Sequence, residues 1–215
     1  MIARTPKYFI VGLPRTATTS VCLATLELGF TTAHTAYVNN AFEQAQVIAD
    51  TPIFADYSKL DTQFKKAKFI YLNREREAWI KSIRQLLLRM YTNLTSEKGG
   101  FNPVIKRCYQ AVFGPITHEN IMSDDHLWHC YERHKKQVLA YFADRPNDLL
   151  IIEVGQLGSY QALYDFMKPS HSAKRDGNFA MINQGGKVTA WKQVKHPLKI
   201  ESTHQGRVEP LFYQL

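Results

Sequence analysis

The sequence has few cysteines and no apolar run long enough to cross a membrane. Cys22, Cys108 and Cys130 are too few and too widely spaced for a disulfide framework, which excludes a disulfide-stabilised secreted scaffold. No stretch approaches the roughly 20 apolar residues of a membrane span. The apolar run that ends at Pro14 lacks the length and the small-residue cleavage site of a secretion signal. These absences predict a cytoplasmic protein with reduced thiols.

Long runs of one charge are missing as well. The chain has 27 Lys and Arg against 19 Asp and Glu, a net charge of +8, but the basic residues are scattered. Scattered charge does not favour a nucleic-acid partner, whereas a nucleotide with phosphates at both ends would suit it. Alternatively, the charge only keeps the protein soluble.

Internal repeats and low-complexity segments are also lacking. A chain of 215 residues with 45% apolar composition is long enough for one domain with a full core. We therefore predict a single domain over residues 1–215. Within it, residues 90–125 form a helical region and residues 170–215 an irregular tail.

Three apolar runs, at residues 7–13, 68–72 and 149–154, have the pattern of buried parallel strands. Helical patterns follow each of them. The other predicted elements are helices from the first loop to Gly29, at 41–48, 75–94, 103–113 and 124–143, a strand or turn at 53–57, and a final helix with Leu157, Leu163 and Phe166 in the core. This alternation predicts an α/β three-layer sandwich around a mostly parallel sheet, with ligands beyond the carboxyl ends of the strands.

A lysine is missing from the stretch that looks most like a phosphate-binding loop. Residues 12–20 read GLPRTATTS and follow the first predicted strand. The backbone N–H groups at such a strand-to-helix turn converge on one point, with the positive end of the helix dipole behind them. Gly12 and Thr19 fit the P-loop pattern, but Ala17 replaces its second glycine and Thr18 its lysine. The loop therefore predicts an anionic ligand that is not held like a nucleotide triphosphate with Mg²⁺.

The same stretch resembles the 5′-phosphosulfate loop of sulfotransferases, which use 3′-phosphoadenosine 5′-phosphosulfate (PAPS). That loop reads roughly G-x-P-[KR]-[ST]-G-T-[TS], and Arg15 falls on its cation. Ala17 departs from the family's glycine. The resemblance implies a P-loop NTPase-like sulfotransferase fold. It also implies donor contacts from Gly12, Pro14, Arg15, Thr16, Ala17, Thr18 and Thr19.

A second motif follows the predicted strand at 68–72. Arg74 lies where the strand stops, and Ser82 lies eight residues later, just over two turns into the next helix. The pair resembles the R-x7-S segment with which sulfotransferases hold the 3′-phosphate of PAPS, which implies that role for both residues. Asn73 argues against an ATPase, which would want an aspartate at a strand end to hold Mg²⁺. A sulfuryl group carries less charge than a terminal phosphoryl group, so its transfer has less need of a metal, and we expect no metal requirement.

The acceptor must lose a proton during transfer, so a base should lie within hydrogen-bond reach of it. His34 is the first candidate because its ordinary pKa is near 7 and it follows the first βα unit in an irregular segment. Asp56 is the second candidate, and either residue could instead tie down a loop. Arg15 is the third predicted catalytic residue, because an arginine can stabilise the charge that develops on the leaving 5′-phosphate.

His126, Cys130 and His134 share one face of a predicted helix. Helical spacing over two turns is poor for closing one tetrahedral site, and no partner cluster exists elsewhere in the sequence. We therefore predict no metal site there.

The tail contains a weaker resemblance. Residues 183–192 are similar to the glycine- and lysine-containing loop with which sulfotransferases close over the nucleotide, which implies a donor contact by Lys187. A flexible basic tail is the alternative. Residues 90–125 are expected to form part of the acceptor wall.

Together these patterns predict a sulfotransferase that moves the sulfuryl group from PAPS to a hydroxyl or amine. The expected acceptor is a small molecule or a glycan, with no nucleic acid involved. Two alternatives remain open. One is a small-molecule or nucleotide kinase with a degenerate P-loop, and the other is a non-catalytic nucleotide-binding protein.

Overall fold

The computed structural model of the protein describes residues 6–169, 174–180 and 191–214. Five strands form one sheet in the order β2-β3-β1-β4-β5, and each neighbouring pair is parallel. The strands are β1 (Tyr8–Ile10), β2 (Thr32–Ala33), β3 (Val47–Ala49), β4 (Lys68–Asn73) and β5 (Leu149–Glu153).

Helices connect the strands and cover both faces of the sheet. They are α1 (Thr18–Glu27), α2 (Asn39–Gln44), α3 (Ile53–Gln63), α4 (Arg76–Thr95), α5 (Pro103–Phe113), α6 (His118–Met122), α7 (Asp124–Tyr141) and α8 (Ser159–Met167). No helix among the described residues is both long and apolar enough to cross a membrane.

Successive strand residues face two separate apolar cores, as the period of two in a strand requires. Phe9 and Phe69 belong to the core built with α3, α4, α5 and α7, whereas Ile10 and Ile70 belong to the core built with α1 and α8. The central sheet with a helical layer on each face confirms the predicted α/β three-layer architecture and the P-loop-like order of its elements.

Two predicted segments are wrong. Residues 41–48 were expected to be one helix, but α2 ends at Gln44 and β3 begins at Val47. Pairing of β3 with both β1 and β2 overrides the local helical pattern there. Residues 53–57 were expected to be a strand or turn, but they begin α3. A short apolar run does not distinguish a strand from a buried helix by its period alone.

Two further differences concern the edges of the sheet. Leu157 was expected in the core, but it is fully exposed in the turn between β5 and α8. Strand β2, with two residues, is too short to give a periodic signal. Part of the predicted irregular tail lies beside it: Thr32 N–H donates to Leu198 O and Ile200 N–H donates to Thr32 O, both at 2.9 Å.

Candidate functional site

The loop between β1 and α1 depends on a glycine at its start. A Cβ at position 12 would lie 2.7 Å from both Leu72 Cβ and Thr16 Oγ1, which is closer than real contacts allow. The absence of a side chain therefore lets the loop pass against β4. Thr16 Oγ1 in turn donates to Leu13 O at 2.7 Å, and Trp79 Nε1 of α4 donates to Pro14 O at 3.1 Å. These bonds fix the loop against the sheet and α4.

Two residues of the loop have left-handed backbones. Arg15 and Ala17 both have φ of 72°, and Ala17 is the residue directly before α1. A non-glycine residue in this conformation is strained, because its Cβ crowds the following carbonyl. The conformation explains why a glycine belongs at position 17 in the motif that this loop resembles.

The side chains of Arg15, Arg74 and Ser82 lie together at the carboxyl end of β4. Arg15 Nε donates to Ser82 Oγ at 2.8 Å, and an Arg74 guanidinium N–H donates to Arg15 O. Among the described residues, no carboxylate lies within 4.0 Å of either guanidinium. Burial lowers the pKa of Arg15, and Arg74 and Arg89 lower it further. This cluster is therefore a half-buried cationic site that an anion would stabilise.

His34 lies on the other side of the loop, just after β2. Its Nε2 is 3.0 Å from Thr19 Oγ1 and 3.2 Å from Thr18 Oγ1, and its ring lies near that of Trp191, with centroids 5.6 Å apart and planes tilted by 30°. Burial lowers the pKa of His34, and the Asp50 carboxylate opposes part of that effect. A neutral imidazole that touches the first hydroxyls of α1 can accept a proton at the mouth of the loop.

Asp50 is a site residue that the sequence analysis missed. It follows β3 directly, and its Oδ2 lies 4.0 Å from His34 Nε2. An apolar triplet followed by Asp-Thr-Pro was the signal that could have identified it. Asp50 also occupies the kind of strand end at which an ATPase holds Mg²⁺, so Asn73 alone does not argue against one.

Asp56, the second predicted base, lies elsewhere. It is buried in α3, where its carboxylate accepts two N–H bonds from Arg107 at 2.8 and 2.6 Å and one O–H bond from Tyr213 at 3.0 Å. It does not line the cavity beside the loop. The structure therefore does not bring Asp56 to His34, because α3 turns its carboxylate towards α5 and the C-terminal segment.

A cavity of about 2220 Å³ opens in front of the loop. Its wall combines residues from the ends of all five strands with part of the predicted acceptor region and tail. The lining includes residues 14–20, His34, Asp50, Arg74, Phe101, Lys106, Tyr109, residues 153–158, Trp191 and Lys199. Lys187 lies outside the described residues.

The face of α7 that carries His126, Cys130 and His134 is packed rather than open. His126 Nε2 lies 3.2 Å from Phe113 O, and His134 Nε2 lies 2.8 Å from Phe54 O. Within the described ranges, no group of three or more His, Cys, Asp or Glu side chains is arranged to hold a metal ion.

The sequence profile of one protein family, described as the sulfotransferase domain, matches residues 35–188. The matched region begins just after His34 and includes Asp50, Arg74 and Ser82. Among curated proteins, none matches the chain. Since the profile covers more than half of the chain, and the fold is the parallel α/β sandwich expected for such an enzyme, the chain belongs to the sulfotransferase domain family.

Proposed function

We propose that the protein transfers the sulfuryl group of PAPS to a hydroxyl or amine of a small-molecule or glycan acceptor. The observation that carries this proposal is the cluster of Arg15, Arg74 and Ser82 beside the loop. Two half-buried guanidiniums that have no carboxylate within 4.0 Å among the described residues fit a ligand with two separate anionic groups. The loop also leads directly into the N-terminus of α1, where free backbone N–H groups suit a phosphate.

PAPS supplies an activated sulfuryl group. In the transfer, a bond forms between the acceptor oxygen or nitrogen and sulfur, while the bond from sulfur to the 5′-phosphate oxygen breaks. Arg15, Thr18 and Thr19 would bind the 5′ end, and Arg15 would stabilise the charge left on the 5′-phosphate. Arg74 and Ser82 would bind the 3′-phosphate.

The acceptor proton would pass to His34. Its imidazole lies against the hydroxyls that would face the sulfuryl group, and its lowered pKa keeps it neutral at pH 7. Asp50 would stabilise the imidazolium that forms, since its carboxylate lies 4.0 Å from Nε2. Activity should then fall as the pH drops through the lowered pKa of His34.

The test is calorimetric titration with adenosine 3′,5′-bisphosphate and with AMP. The intact protein should bind the bisphosphate more tightly than AMP. Arg74→Ala should weaken bisphosphate binding by about 10- to 100-fold and so remove most of that preference. Arg76→Ala is the matched control, because the Arg76 side chain is 49% exposed, pairs with Asp125 at 3.2 Å and does not line the cavity. Bisphosphate binding no tighter than AMP binding would refute the proposal.

Asp50 is also a feature that a Mg²⁺-dependent kinase would use. The same titration should therefore include ATP with Mg²⁺. Tight binding of MgATP together with weak bisphosphate binding would favour the kinase. Bisphosphate binding without turnover across a broad acceptor panel would favour a non-catalytic nucleotide-binding protein.

A further inference from the structure

The segment at residues 198–200 extends the β2 edge of the sheet towards the cavity. Its two backbone hydrogen bonds to Thr32 hold Lys199 beside β2, and Thr32 lies only two residues before His34. Thr32 is fully buried. Lys199 therefore reaches the cavity from backbone that is fixed by the sheet rather than from a free tail.

The charged side chain of Lys199 is largely buried. Its side chain is only 9% exposed, and its Nζ lies 5.8 Å from the centre of the Trp191 ring. Glu201 Oε1 lies 3.3 Å away, but that side chain is 77% exposed. A carboxylate in water is a weak partner for an ammonium that has lost most of its own hydration.

Trp191 adds a second hydrogen-bond donor at the same place. Its ring lies near both Lys199 and His34, and its Nε1 is buried with no acceptor among the residues that the structure describes. A buried indole N–H usually has a partner. The wall next to His34 therefore contains a largely buried ammonium and, beside it, a buried N–H without an acceptor, while Glu201, the carboxylate paired with Lys199 among the described residues, is mostly in solvent.

We propose that Lys199 and Trp191 form a subsite for an oxyanion carried by the acceptor, so that the substrate is a hydroxyl or amine compound that also bears a carboxylate or a similar group. This inference rests on the proposed function, because it assigns the acceptor to the side of the cavity that holds His34. The donor phosphates are the other possible source of an oxyanion. The 3′-phosphate, which we assign to Arg74 and Ser82, belongs to the opposite side, since three strand spacings of about 4.8 Å each separate β2 from β4. The 5′ end of the donor is assigned to the loop itself, through Arg15, Thr18 and Thr19.

The test compares carboxylates with their neutral amides. Hydroxyphenylacetate and hydroxyhexanoate are each titrated against the corresponding amide by calorimetry, with and without saturating adenosine 3′,5′-bisphosphate. Lys199→Met removes the charge and keeps the length of the side chain. Lys195→Met is the matched control, because Lys195 is exposed on the same segment and does not line the cavity.

At least one carboxylate should bind the intact protein about tenfold more tightly than its amide. That preference should disappear in Lys199→Met and persist in Lys195→Met. Equal binding of every carboxylate and its amide, or a preference that survives Lys199→Met, would overturn the inference. A loss of bisphosphate affinity in Lys199→Met would assign the subsite to the donor instead, and so would also overturn it.

Failure of the proposed function has a different signature. In that case adenosine 3′,5′-bisphosphate itself would not bind in preference to AMP, whereas the carboxylate preference can still be measured in its absence. Melting curves of both lysine variants check that each remains folded.

Discussion

Replacing Ala17 by glycine tests the backbone conformation on which the loop depends. Ala17 precedes α1 with φ of 72° and ψ of 28°. The left-handed conformation costs an L-residue about 1–2 kcal/mol. Glycine avoids that cost but loses about 0.5–1 kcal/mol more chain entropy on folding. The difference predicts that Ala17→Gly raises the free energy of unfolding by about 0.5–1 kcal/mol.

Ala24→Gly is the matched control within the same helix. Ala24 lies in the interior of α1 and is 2% exposed. There the substitution loses about 1 kcal/mol of helix propensity and about 0.8 kcal/mol from the buried methyl group. Replacement of alanine by glycine should therefore stabilise the protein at position 17 and destabilise it at position 24.

Urea denaturation at neutral pH measures both effects as shifts in the midpoint at constant slope. A loss of stability in Ala17→Gly comparable to that in Ala24→Gly would show that Ala17 is not left-handed in the folded protein. The loop geometry and the anion site built on it would then be wrong.

Three other substitutions test single side chains. Asp50→Asn should lower the pKa of His34 further, because the carboxylate that opposes the effect of burial is lost. NMR of the histidine ring would record this as a titration at lower pH, and an unchanged titration would contradict the contact between Asp50 and His34. Burial lowers the pKa of His134 to about 4, so the unfolded chain takes up a proton first and stability falls by roughly 3 kcal/mol as the pH drops from about 6.5 to about 4. His134→Gln should remove that part of the loss in urea titrations across pH, and parallel curves for the two proteins would contradict the assignment. Asp56→Ala should lower the free energy of unfolding by about 2 kcal/mol, because the bonds from Arg107 and Tyr213 are lost while the half-exposed Arg107 regains water. Bisphosphate affinity should be unchanged, and weaker binding at unchanged stability would instead favour a role of Asp56 in the site.

The elements that the sequence predicts most accurately are those whose own residues determine both ends. Helix α5 begins at Pro103, with the Asn102 side chain accepting a bond from Ile105 N, and has the predicted bounds. Helix α1 ends as predicted before Gly29, where the N–H groups of Gly29 and Phe30 donate to Leu26 O and Thr25 O. Capping groups lie within a few residues of the helix that they end, so the sequence alone can identify them.

The parts of the candidate site that depend on the spacing of residues along the chain could be predicted from the sequence. The parts that depend on which strands lie next to each other could not. The R-x7-S segment places Arg74 in the turn between β4 and α4, and Ser82 about two turns into α4, from its spacing alone. Their contact with Arg15 also requires β1 and β4 to be neighbours, which the sheet order provides. Trp191 and Lys199 reach the cavity only because residues 198–200 lie beside β2, and nothing local in the tail indicates that position.

Asp50 and Asp56 show the same limit within one short segment. Asp56 lies in residues 53–57, a stretch similar to the sulfotransferase family that was expected to be a strand or turn, but those residues begin a helix that turns its carboxylate towards Arg107. Asp50 follows a strand of three residues, which is too short for a period of two to be recognised. Only the pairing of that strand with β1 on one side and β2 on the other brings Asp50 to the same end of the sheet as His34 and the loop at residues 12–20. In an open parallel sheet the ligand lies at the carboxyl ends of the strands. An aspartate that directly follows a buried apolar triplet, as Asp50 does, is therefore a better candidate for an acidic group in the cavity than an aspartate inside an apolar run, such as Asp56.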